Sequence, residues 1–331
     1  MATMGLRIGI VGCGPSARIH VARLRAIEGV AVVGCTDASF PAAEGLASEA
    51  SAAGRAVPAF ADHSELIRDA APDALAIFTP HPAHYRPAMD GLQAGCHVFV
   101  EKPLSTVVQE AVDIIGLARA RGLKVGVGHH LRLLPSLIGA KRLLAEGAIG
   151  PVRLVTATLA QSWLESHRGE EHSWRFDPRL AGGGILADSG VQLIDGLLWT
   201  SGLSAVEVAA ITGRNDPGPE LVAVAVIRLS DGTPATLAIS GVSPGSLFEW
   251  TYHGERGRLR VTESSATVES EGGGGIPAPL DGPREGIDAN FVAAATGGAA
   301  LCCPADEALD TVRLLEAIAR SAAIGQMVRL A

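Results

Sequence analysis

The chain has 331 residues, of which 47% are hydrophobic and 19% charged, and its formal net charge is −8. Its length and apolar content favour two domains rather than one core. The negative balance, without a block of Lys and Arg, argues against nucleic acid or an anionic membrane as the main partner. Residues 6–14 are too short and glycine-rich for a signal peptide, and no apolar run reaches membrane-spanning length. We therefore expect a cytoplasmic protein.

The cysteines lack the spacing of a metal site, and the adjacent pair is a poor candidate for a disulfide. We interpret all five as thiols in a reducing compartment, and we predict no metal site. They are Cys13, Cys35, Cys96, Cys302 and Cys303.

A glycine turn follows the first predicted strand, residues 7–11, and leads into a helix. Gly12 permits a tight turn, Gly14 lets a pyrophosphate approach the backbone, and Ala17 allows close packing of helix on strand. The helix N-terminus offers free N–H groups to phosphates. We predict a dinucleotide site that includes Gly12, Gly14, Pro15, Ser16 and Ala17.

A second strand, residues 30–35, ends at Asp37, about 20 residues past the turn. A carboxylate at this place hydrogen-bonds the adenosine ribose and repels a 2′-phosphate. Neither Ala38 nor Ser39 supplies a positive charge that would reverse the preference. The sequence therefore favours NAD over NADP, although a turn Asp that closes the strand is the alternative.

Strands and helices continue to alternate up to residue 127, which predicts a doubly wound parallel sheet with its ligand at the carboxyl ends of the strands. The predicted strands are 74–78, 97–100 and 124–127, and the predicted helices are 83–94 and 109–121.

Two polar groups directly follow strands of this sheet. The first contains Thr79, Pro80 and His84, and the second begins with Glu101 and Lys102; we predict that all five residues contact the cofactor. Proline at 103 permits a cis bond and a rigid turn, which would hold the Lys102 cation beside a cofactor. Burial lowers the pKa of lysines in general and suits them to acid–base work. A surface turn is the alternative.

A third polar group lies in residues 182–195, GGGILADSGVQLID. If this segment is helical, Asp188, Gln192 and Asp195 share one face at i, i+4 and i+7. An apolar segment that carries such a stripe points to a site.

These motifs together resemble the Gfo/Idh/MocA oxidoreductase family. The resemblance rests on the glycine turn, on residues 79–105 with their Glu-Lys-Pro, on residues 174–195 and on the close of the chain, residues 305–330. It implies an α/β fold with an N-terminal Rossmann domain and a C-terminal α/β domain that carries a large, mostly antiparallel open sheet. This sheet often serves in dimer or tetramer contacts in the family, so a homodimer or homotetramer is expected.

The sequence agrees with this organisation. Beyond about residue 151 strand-like runs follow one another, which places the domains at 1–129 and 130–331. The runs are 152–160, 220–229, 233–241 and 258–262; residues 268–286 are predicted as a flexible loop, and 308–322 as a helix.

The resemblance implies hydride transfer between a nicotinamide and a carbinol or carbonyl carbon of a sugar, sugar derivative or cyclitol. Lys102 would hold the substrate hydroxyl, and Asp188 would orient the substrate or Lys102. Inositol dehydrogenase-like members carry a His four residues after this Asp as the acid–base. Here that position is Gln192, which does not titrate near neutral pH. We predict Lys102, Asp188 and Gln192 as the catalytic residues.

Three interpretations of the missing histidine stay open. In the one we prefer, Lys102 or a water takes the proton and Gln192 positions the substrate. In the second, another histidine substitutes; His129, His130 and His172 are the candidates, whereas Tyr85 and Tyr252 do not occupy the position that some relatives use. In the third, the chemistry is lost.

Further substrate contacts are predicted around these residues. Arg132 and Arg175 are expected to line or close the cleft, although Arg175 could equally pair with Asp177 or Glu171. Trp163 and Trp174 are expected to stack on a sugar, and Trp199 and Trp250 to belong to the core. The predicted substrate-binding set is Lys102, His130, Arg132, Trp163, Arg175, Asp188 and Gln192.

Two other classes of function occur in the family. One is a glycoside hydrolase that uses bound NAD transiently, and the other is a cofactor-binding regulator without chemistry. We also expect loops at 161–174 and 243–253 to shape the substrate site.

Overall fold

The computed structural model describes residues 5–51, 55–168, 173–214, 218–270, 275–277 and 286–330. The chain forms two compact units. Unit 1 consists of Met1–Ser105, Gln109–Gly128 and Glu285–Asp306, and unit 2 consists of Thr106–Val108, His129–Arg284 and Glu307–Ala331. Neither unit is a single continuous piece of the chain.

Unit 1 contains a six-stranded parallel sheet in the order β3-β2-β1-β4-β5-β6. The order reverses direction at β1, as in a doubly wound fold, so the predicted fold class is confirmed for this unit. The strands are β1 Leu6–Val11, β2 Val30–Thr36, β3 Ala59–Phe60, β4 Ala74–Ile77, β5 His97–Val100 and β6 Val125–Val127.

The helices of unit 1 bury small and aliphatic side chains against this sheet. In the first of them Ala17, Val21 and Leu24 are buried. The two helices between Phe40 and Ala70 were not predicted, and the predicted helix 83–94 begins as a 3-10 turn over His81–Ala83. The helices are α1 Pro15–Arg25, α2 Phe40–Ala50, α3 His63–Ala70, α4 Tyr85–Ala94, α5 Val108–Arg121 and, from late in the chain, α10 Ile287–Ala295.

Unit 2 contains a nine-stranded sheet in the order β14-β13-β12-β11-β7-β10-β9-β8-β15. Among the strands that the structure describes in this sheet, β7 and β10 are the only parallel pair, so the predicted large and mostly antiparallel sheet is confirmed. The strands are β7 Val152–Gln161, β8 Ala205–Arg214, β9 Glu220–Leu229, β10 Pro234–Ser240, β11 Ser246–Gly254, β12 Gly257–Thr262, β13 Ala266–Glu269, β14 Ile276–Pro277 and β15 Val328–Arg329.

One face of this sheet carries the core of unit 2. Alternate residues of β9 point inward, and Trp250 of β11 is buried as predicted, with its Nε1 donating to Leu193 O at 2.9 Å. Trp199 is only partly buried against this core. The helices are α6 Pro135–Ala145, α7 Trp163–Ser166, α8 Pro178–Ala181, α9 Val191–Ser201 and α11 Ala305–Ile324.

Three local predictions need correction. Residues 246–253 of the expected loop 243–253 belong to the strand β11, because their alternate side chains fit the buried face. Within the predicted loop 268–286, strands cover residues up to 269 and 276–277, and residues 271–274 and 278–285 lie outside the described part. Residues 186–190 form a π-helical turn before α9, rather than one continuous α-helix with it.

The five cysteines are free thiols, as predicted. In the part of the chain that the structure describes, none of the helices has the length and hydropathy needed to cross a bilayer.

Candidate active site

The glycine turn of unit 1 has a different steric demand at each of its two glycines. Gly12 has φ +89°, and a Cβ there would lie 2.7 Å from the backbone of Phe78 and Thr79. A Cβ at Gly14 would meet nothing within 4 Å. Gly12 therefore lets the turn lie against the chain after β4, whereas Gly14 keeps the open side free for close approach to the backbone.

The start of α1 and the end of β2 frame this open side. Gly14 is the N-cap of α1 and Pro15 its first residue, so the amides of Ser16 and Ala17 begin the helix without intrahelical acceptors. Ala17 is fully buried, as close helix–strand packing requires. These free backbone amides suit a pyrophosphate, which accepts hydrogen bonds from N–H groups at a helix N-terminus.

Asp37 lies beside the same turn, half-buried, after β2. Its Oδ2 accepts from Cys13 N at 2.7 Å and its Oδ1 from Ser39 N at 2.8 Å. These amide donors fix the carboxylate next to the residue between the two glycines. The turn, the helix start and the fixed carboxylate together fit a dinucleotide whose ribose hydroxyls bind Asp37.

The loop after β4 holds the predicted residues Thr79, Pro80 and His84. The Thr79 hydroxyl is buried and makes no hydrogen bond within the described residues. His84 is fully buried, with Nδ1 2.8 Å from Pro103 O and Nε2 2.9 Å from Thr79 O. Burial lowers the pKa of His84. This position joins the loop to the Glu-Lys-Pro turn and does not fit the predicted direct contact with a cofactor.

The Glu101-Lys102-Pro103 turn follows β5, the neighbour of β4. The Lys102–Pro103 bond is cis, as the sequence allowed. Lys102 is half-buried, and its backbone N donates to Glu101 Oε2 at 3.1 Å. A Cβ on Gly128, after the neighbouring strand β6, would lie 2.6 Å from Glu101 Oε1. The turn is thus closely enclosed at the carboxyl edge of the sheet.

His20 and Asp288 brace this turn and were missed by the sequence analysis. The buried His20 of α1 has Nδ1 2.5 Å from Asp288 Oδ1 and Nε2 3.2 Å from Glu101 Oε1. Burial lowers the pKa of His20, but the hydrogen bonds that it donates to the Asp288 and Glu101 carboxylates outweigh burial and raise the pKa to about 9. The sequence did contain a signal for His20, because this polar residue interrupts the otherwise apolar face of α1.

The charged His20 predicts a pH dependence of stability. Its pKa rises from the ordinary histidine value of about 6.5 to about 9 on folding. The stability that charged His20 contributes is therefore fully present below about pH 6.5 and is lost as the pH rises through about 9. We expect the stability difference between the parent and His20→Gln to shrink by up to about 3 kcal/mol from pH 6 to pH 9.5. Thermal unfolding of both proteins across this range measures it, with His253→Gln as the control. A pH-independent difference would contradict the prediction.

In unit 2, Asp188 lies in the π-helical turn and is held by two donors. Trp163 Nε1 and Arg175 Nε each donate to Asp188 Oδ2 at 2.8 Å. The Arg175 guanidinium also lies 4.5 Å from the ring centre of Trp174. Arg175 therefore pairs with Asp188; Glu171, one of the alternative partners, lies outside the described residues.

Trp163 does not fit the predicted stacking role. Its side chain is 2% exposed and contacts the rings of His167 and Phe176 at 5.0 and 5.7 Å. The indole supports the Asp188 carboxylate from within the core, whereas Trp174 stays half-buried.

Gln192 bridges two histidines. Its Oε1 is 3.3 Å from His129 Nδ1, and its Nε2 is 3.0 Å from His130 Nδ1. Gln192 and His129 are buried, and His130 is exposed. The third candidate histidine, His172, lies outside the described residues.

Asp195 completes the polar stripe and binds Arg132 in a fork. Arg132 Nε and Nη2 each lie 2.8 Å from the carboxylate, Thr311 Oγ1 donates to it at 3.2 Å, and Arg132 also pairs with Glu307. Burial raises the pKa of Asp195, but the charges of His129 and Arg132 and the hydrogen bonds lower it overall. Arg132 is 3% exposed and is thus a buried ion-pair partner rather than the predicted substrate contact.

Asp188 therefore has partners separate from those of the other two stripe residues. Because a π-turn holds one more residue than an α-turn, Asp188 does not share the α-helical phase of Gln192 and Asp195. Asp188 contacts Trp163 and Arg175, while the other two residues connect to the segment that follows β6.

Comparison with known families and structures agrees with this fold. The GFO_IDH_MocA model, described as "Oxidoreductase family, NAD-binding Rossmann fold", matches residues 6–129. The model of the GFO/IDH/MocA C-terminal domain matches residues 138–260.

Individual proteins show the same relationship. UDP-N-acetylglucosamine 3-dehydrogenase from Acidithiobacillus ferrooxidans is 30% identical over 242 residues, which cover 72% of this chain and 67% of the relative. The 1,5-anhydro-D-fructose reductase from Ensifer adhaerens is 27% identical over 257 residues, or 76% and 74%. The structure of levoglucosan dehydrogenase in complex with NADH and L-sorbose superimposes with a TM-score of 0.85 at 20% identity, covering 99% of this chain and all of that one. With both family models matched and the dehydrogenase aligned over most of its length, the chain belongs to the Gfo/Idh/MocA family of oxidoreductases.

Proposed function

We propose that the protein is an NAD-dependent dehydrogenase or reductase that acts on a CH–OH group, or its carbonyl, in a sugar, sugar derivative or cyclitol. The observation that carries this proposal is the braced Glu101-Lys102-Pro103 turn, at the carboxyl edge of a sheet whose glycine turn fits a dinucleotide. The named activities of the two relatives, on UDP-N-acetylglucosamine and 1,5-anhydro-D-fructose, support the substrate class. They favour an oxidoreductase over a hydrolase or a regulator.

The cofactor would be held by Gly12, Gly14, the amides of Ser16 and Ala17, and Asp37. When bound, NAD supplies the nicotinamide C4 that accepts or returns a hydride. The fixed Asp37 carboxylate would accept hydrogen bonds from ribose hydroxyls and repel a 2′-phosphate. This supports NAD rather than NADP.

Lys102 would move the proton of the substrate hydroxyl. Oxidation of an alcohol releases a hydride from carbon and a proton from oxygen, and the proton needs an acceptor. The Gln192 carboxamide neither gains nor loses a proton in this range. In oxidation the Lys102 side chain, as a neutral amine, would accept the hydroxyl proton, and in reduction its ammonium form would donate that proton. Asp188, fixed by Trp163 and Arg175, would accept hydrogen bonds from substrate hydroxyls.

The proposal is tested with a panel of sugars, sugar nucleotides, anhydro sugars and cyclitols. Each is incubated with NAD and, separately, with NADP, and reduced nicotinamide is followed by its absorbance; the corresponding ketones are tested with NADH. We expect turnover with at least one member and a lower KM for NAD than for NADP. Sugar release without net NADH would support the hydrolase, and cofactor binding without turnover of any member would support the regulator.

We further propose that two copies associate through the outer face of the sheet in unit 2. Three successive outward residues of β9 are valines, Val222, Val224 and Val226, before the outward Arg228; Val224 and Val226 are 49% and 53% exposed. On the neighbouring strands Ile211, 77% exposed, and Ala238 lie opposite Val224. An apolar face of this kind is typical of an interface between copies, as the family resemblance implies.

Val224→Glu is expected to convert a dimer or tetramer into a smaller species, because symmetry would place like charges in an apolar contact. Sedimentation or light scattering measures the mass. Val112→Glu, a matched change at a 39% exposed valine of α5 in unit 1, is the control. A monomeric parent, or an unchanged mass in Val224→Glu, would remove the proposal.

A further inference from the structure

A row of polar side chains runs through unit 2 from Arg132 to His130, joined by hydrogen bonds except between Asp195 and His129, which form a longer ion-pair contact. Arg132 fixes the Asp195 carboxylate, whose Oδ2 lies 3.8 Å from His129 Nδ1. His129 Nδ1 then meets Gln192 Oε1 at 3.3 Å, and Gln192 Nε2 meets His130 Nδ1 at 3.0 Å. The buried members of this row lead to an exposed imidazole.

The direction of these hydrogen bonds follows from their chemistry. His129 Nδ1 faces two oxygen acceptors, one of them an ionised carboxylate, so this nitrogen carries a hydrogen. It donates to Gln192 Oε1, which turns the amide NH₂ toward His130. An amide nitrogen only donates, so His130 Nδ1 must accept. The neutral imidazole of His130 therefore carries its hydrogen on Nε2.

We propose that His130 binds a substrate oxygen as a neutral donor through its Nε2–H, and that Gln192 holds it in this state. The inference rests on the proposed function. Protonation of His130 at Nδ1 would place its N–H against the N–H of Gln192, so the amide opposes the imidazolium form. His130 is thus a substrate-positioning residue that supplies a hydrogen bond and no proton, and proton transfer falls to Lys102.

The place of His130 in the chain agrees with contact to the reacting substrate. It follows the end of β6 by three residues, and Lys102 follows the end of β5 by two. These strands are parallel neighbours, with Val100 opposite Val127, so both segments leave the sheet at its carboxyl edge. Ligands of doubly wound sheets bind outside that edge.

The substitution at position 192 acquires a physical reason from this arrangement. A histidine at 192 would itself be the acid–base, as the family resemblance implies. A glutamine at 192 can donate to one histidine while it accepts from another. A neutral imidazole at this position could do the same, but an imidazolium could not, because it has no acceptor. Gln192 therefore replaces a titrating group by one that fixes the tautomer of its neighbour.

The tautomer is tested directly by ¹⁵N NMR of histidine-labelled protein without ligands, in which the His130 signals are assigned by their loss in His130→Gln. We expect the Nε2–H tautomer in the parent at pH 7.5. In Gln192→Glu the new carboxylate would accept from Nδ1–H, so we expect the signals to move to the Nδ1–H or doubly protonated form. Finding either of those forms in the parent would overturn the inference.

The substrate contact is tested by kinetics with the best substrate of the panel. His130→Ala is expected to lower kcat/KM about tenfold to hundredfold, which is the range for loss of one substrate hydrogen bond, without removing a limb from the pH profile. His130→Gln, whose amide can donate from a similar position, is expected to restore part of the loss. His253→Ala on β11 is the matched control.

The outcomes separate this inference from the proposed function. An active parent in which His130→Ala keeps full kcat/KM, or loses a pH-profile limb in the histidine range, would overturn the inference and leave the function standing. A parent that turns over no member of the panel would remove both.

Discussion

Replacing Lys102 by methionine is expected to lower kcat by about a hundredfold or more, since positioned acid–base groups contribute about 10²–10⁴ to rate. The methionine keeps an apolar stem of similar length but cannot exchange a proton or bind the substrate oxygen. The dissociation constant for NAD is expected to change less than tenfold, because the glycine turn and Asp37 hold most of the cofactor. Initial rates with the best substrate and a fluorescence titration with NAD measure the two effects.

Lys124→Met is the matched control for this change. Lys124 is an exposed lysine of the same unit, one residue before β6, and its replacement should leave kcat within about twofold. If Lys102→Met retained the kcat of the parent, the assignment of Lys102 to proton transfer would be wrong. If it lost NAD binding in proportion to kcat, Lys102 would serve the cofactor instead.

Arg132→Met is expected to destabilise the protein by about 3–5 kcal/mol, because it leaves the Asp195 carboxylate buried without its cation. Arg132 and Asp195 are 3% and 1% exposed, and their fork has two bonds of 2.8 Å. The double variant Arg132→Met, Asp195→Leu is expected to regain much of the loss, since it removes the stranded charge. Chemical unfolding of the three proteins measures these differences.

The exposed pair of Arg153 and Glu255 provides the comparison. Arg153 is 69% exposed, and Arg153→Met should change stability by less than about 1 kcal/mol, as expected of a solvent-screened pair. Equal effects of Arg132→Met and Arg153→Met would contradict the assignment of a buried pair. If Arg132→Met lost much of its substrate affinity but kept full stability, Arg132 would instead be a substrate-binding residue.

The elements that the sequence predicts best are those in which local pattern and tertiary context agree. Gly12 shows this for the turn, because only glycine tolerates both its φ and its distance from Phe78. The strand 220–229 was predicted with its observed ends, since its run of valines and other aliphatic residues favours a strand. The Glu101-Lys102-Pro103 turn was found because it follows a buried strand.

What the sequence could not give are the partners of charged residues. Asp288 lies 268 positions from His20, and the local sequence around either residue does not predict their contact. Arg132 resembled a substrate ligand because its partner Asp195 is 63 residues away. The π-turn at Leu186–Gly190 was missed because an α-helical period of 3.6 was assumed throughout.

The late helix α10 gives unit 1 a particular order of assembly. Its Asp288 supplies the partner of His20, and residues 303 and 304 add backbone pairing to β6, with Val127 N donating to Cys303 O at 2.9 Å. During synthesis the six strands of the sheet emerge long before these residues do. The contacts that brace the Glu101-Lys102-Pro103 turn are therefore completed only by the last part of the chain. A truncated product that ends at residue 129 would keep the glycine turn but would lack the Asp288 carboxylate that pairs with His20.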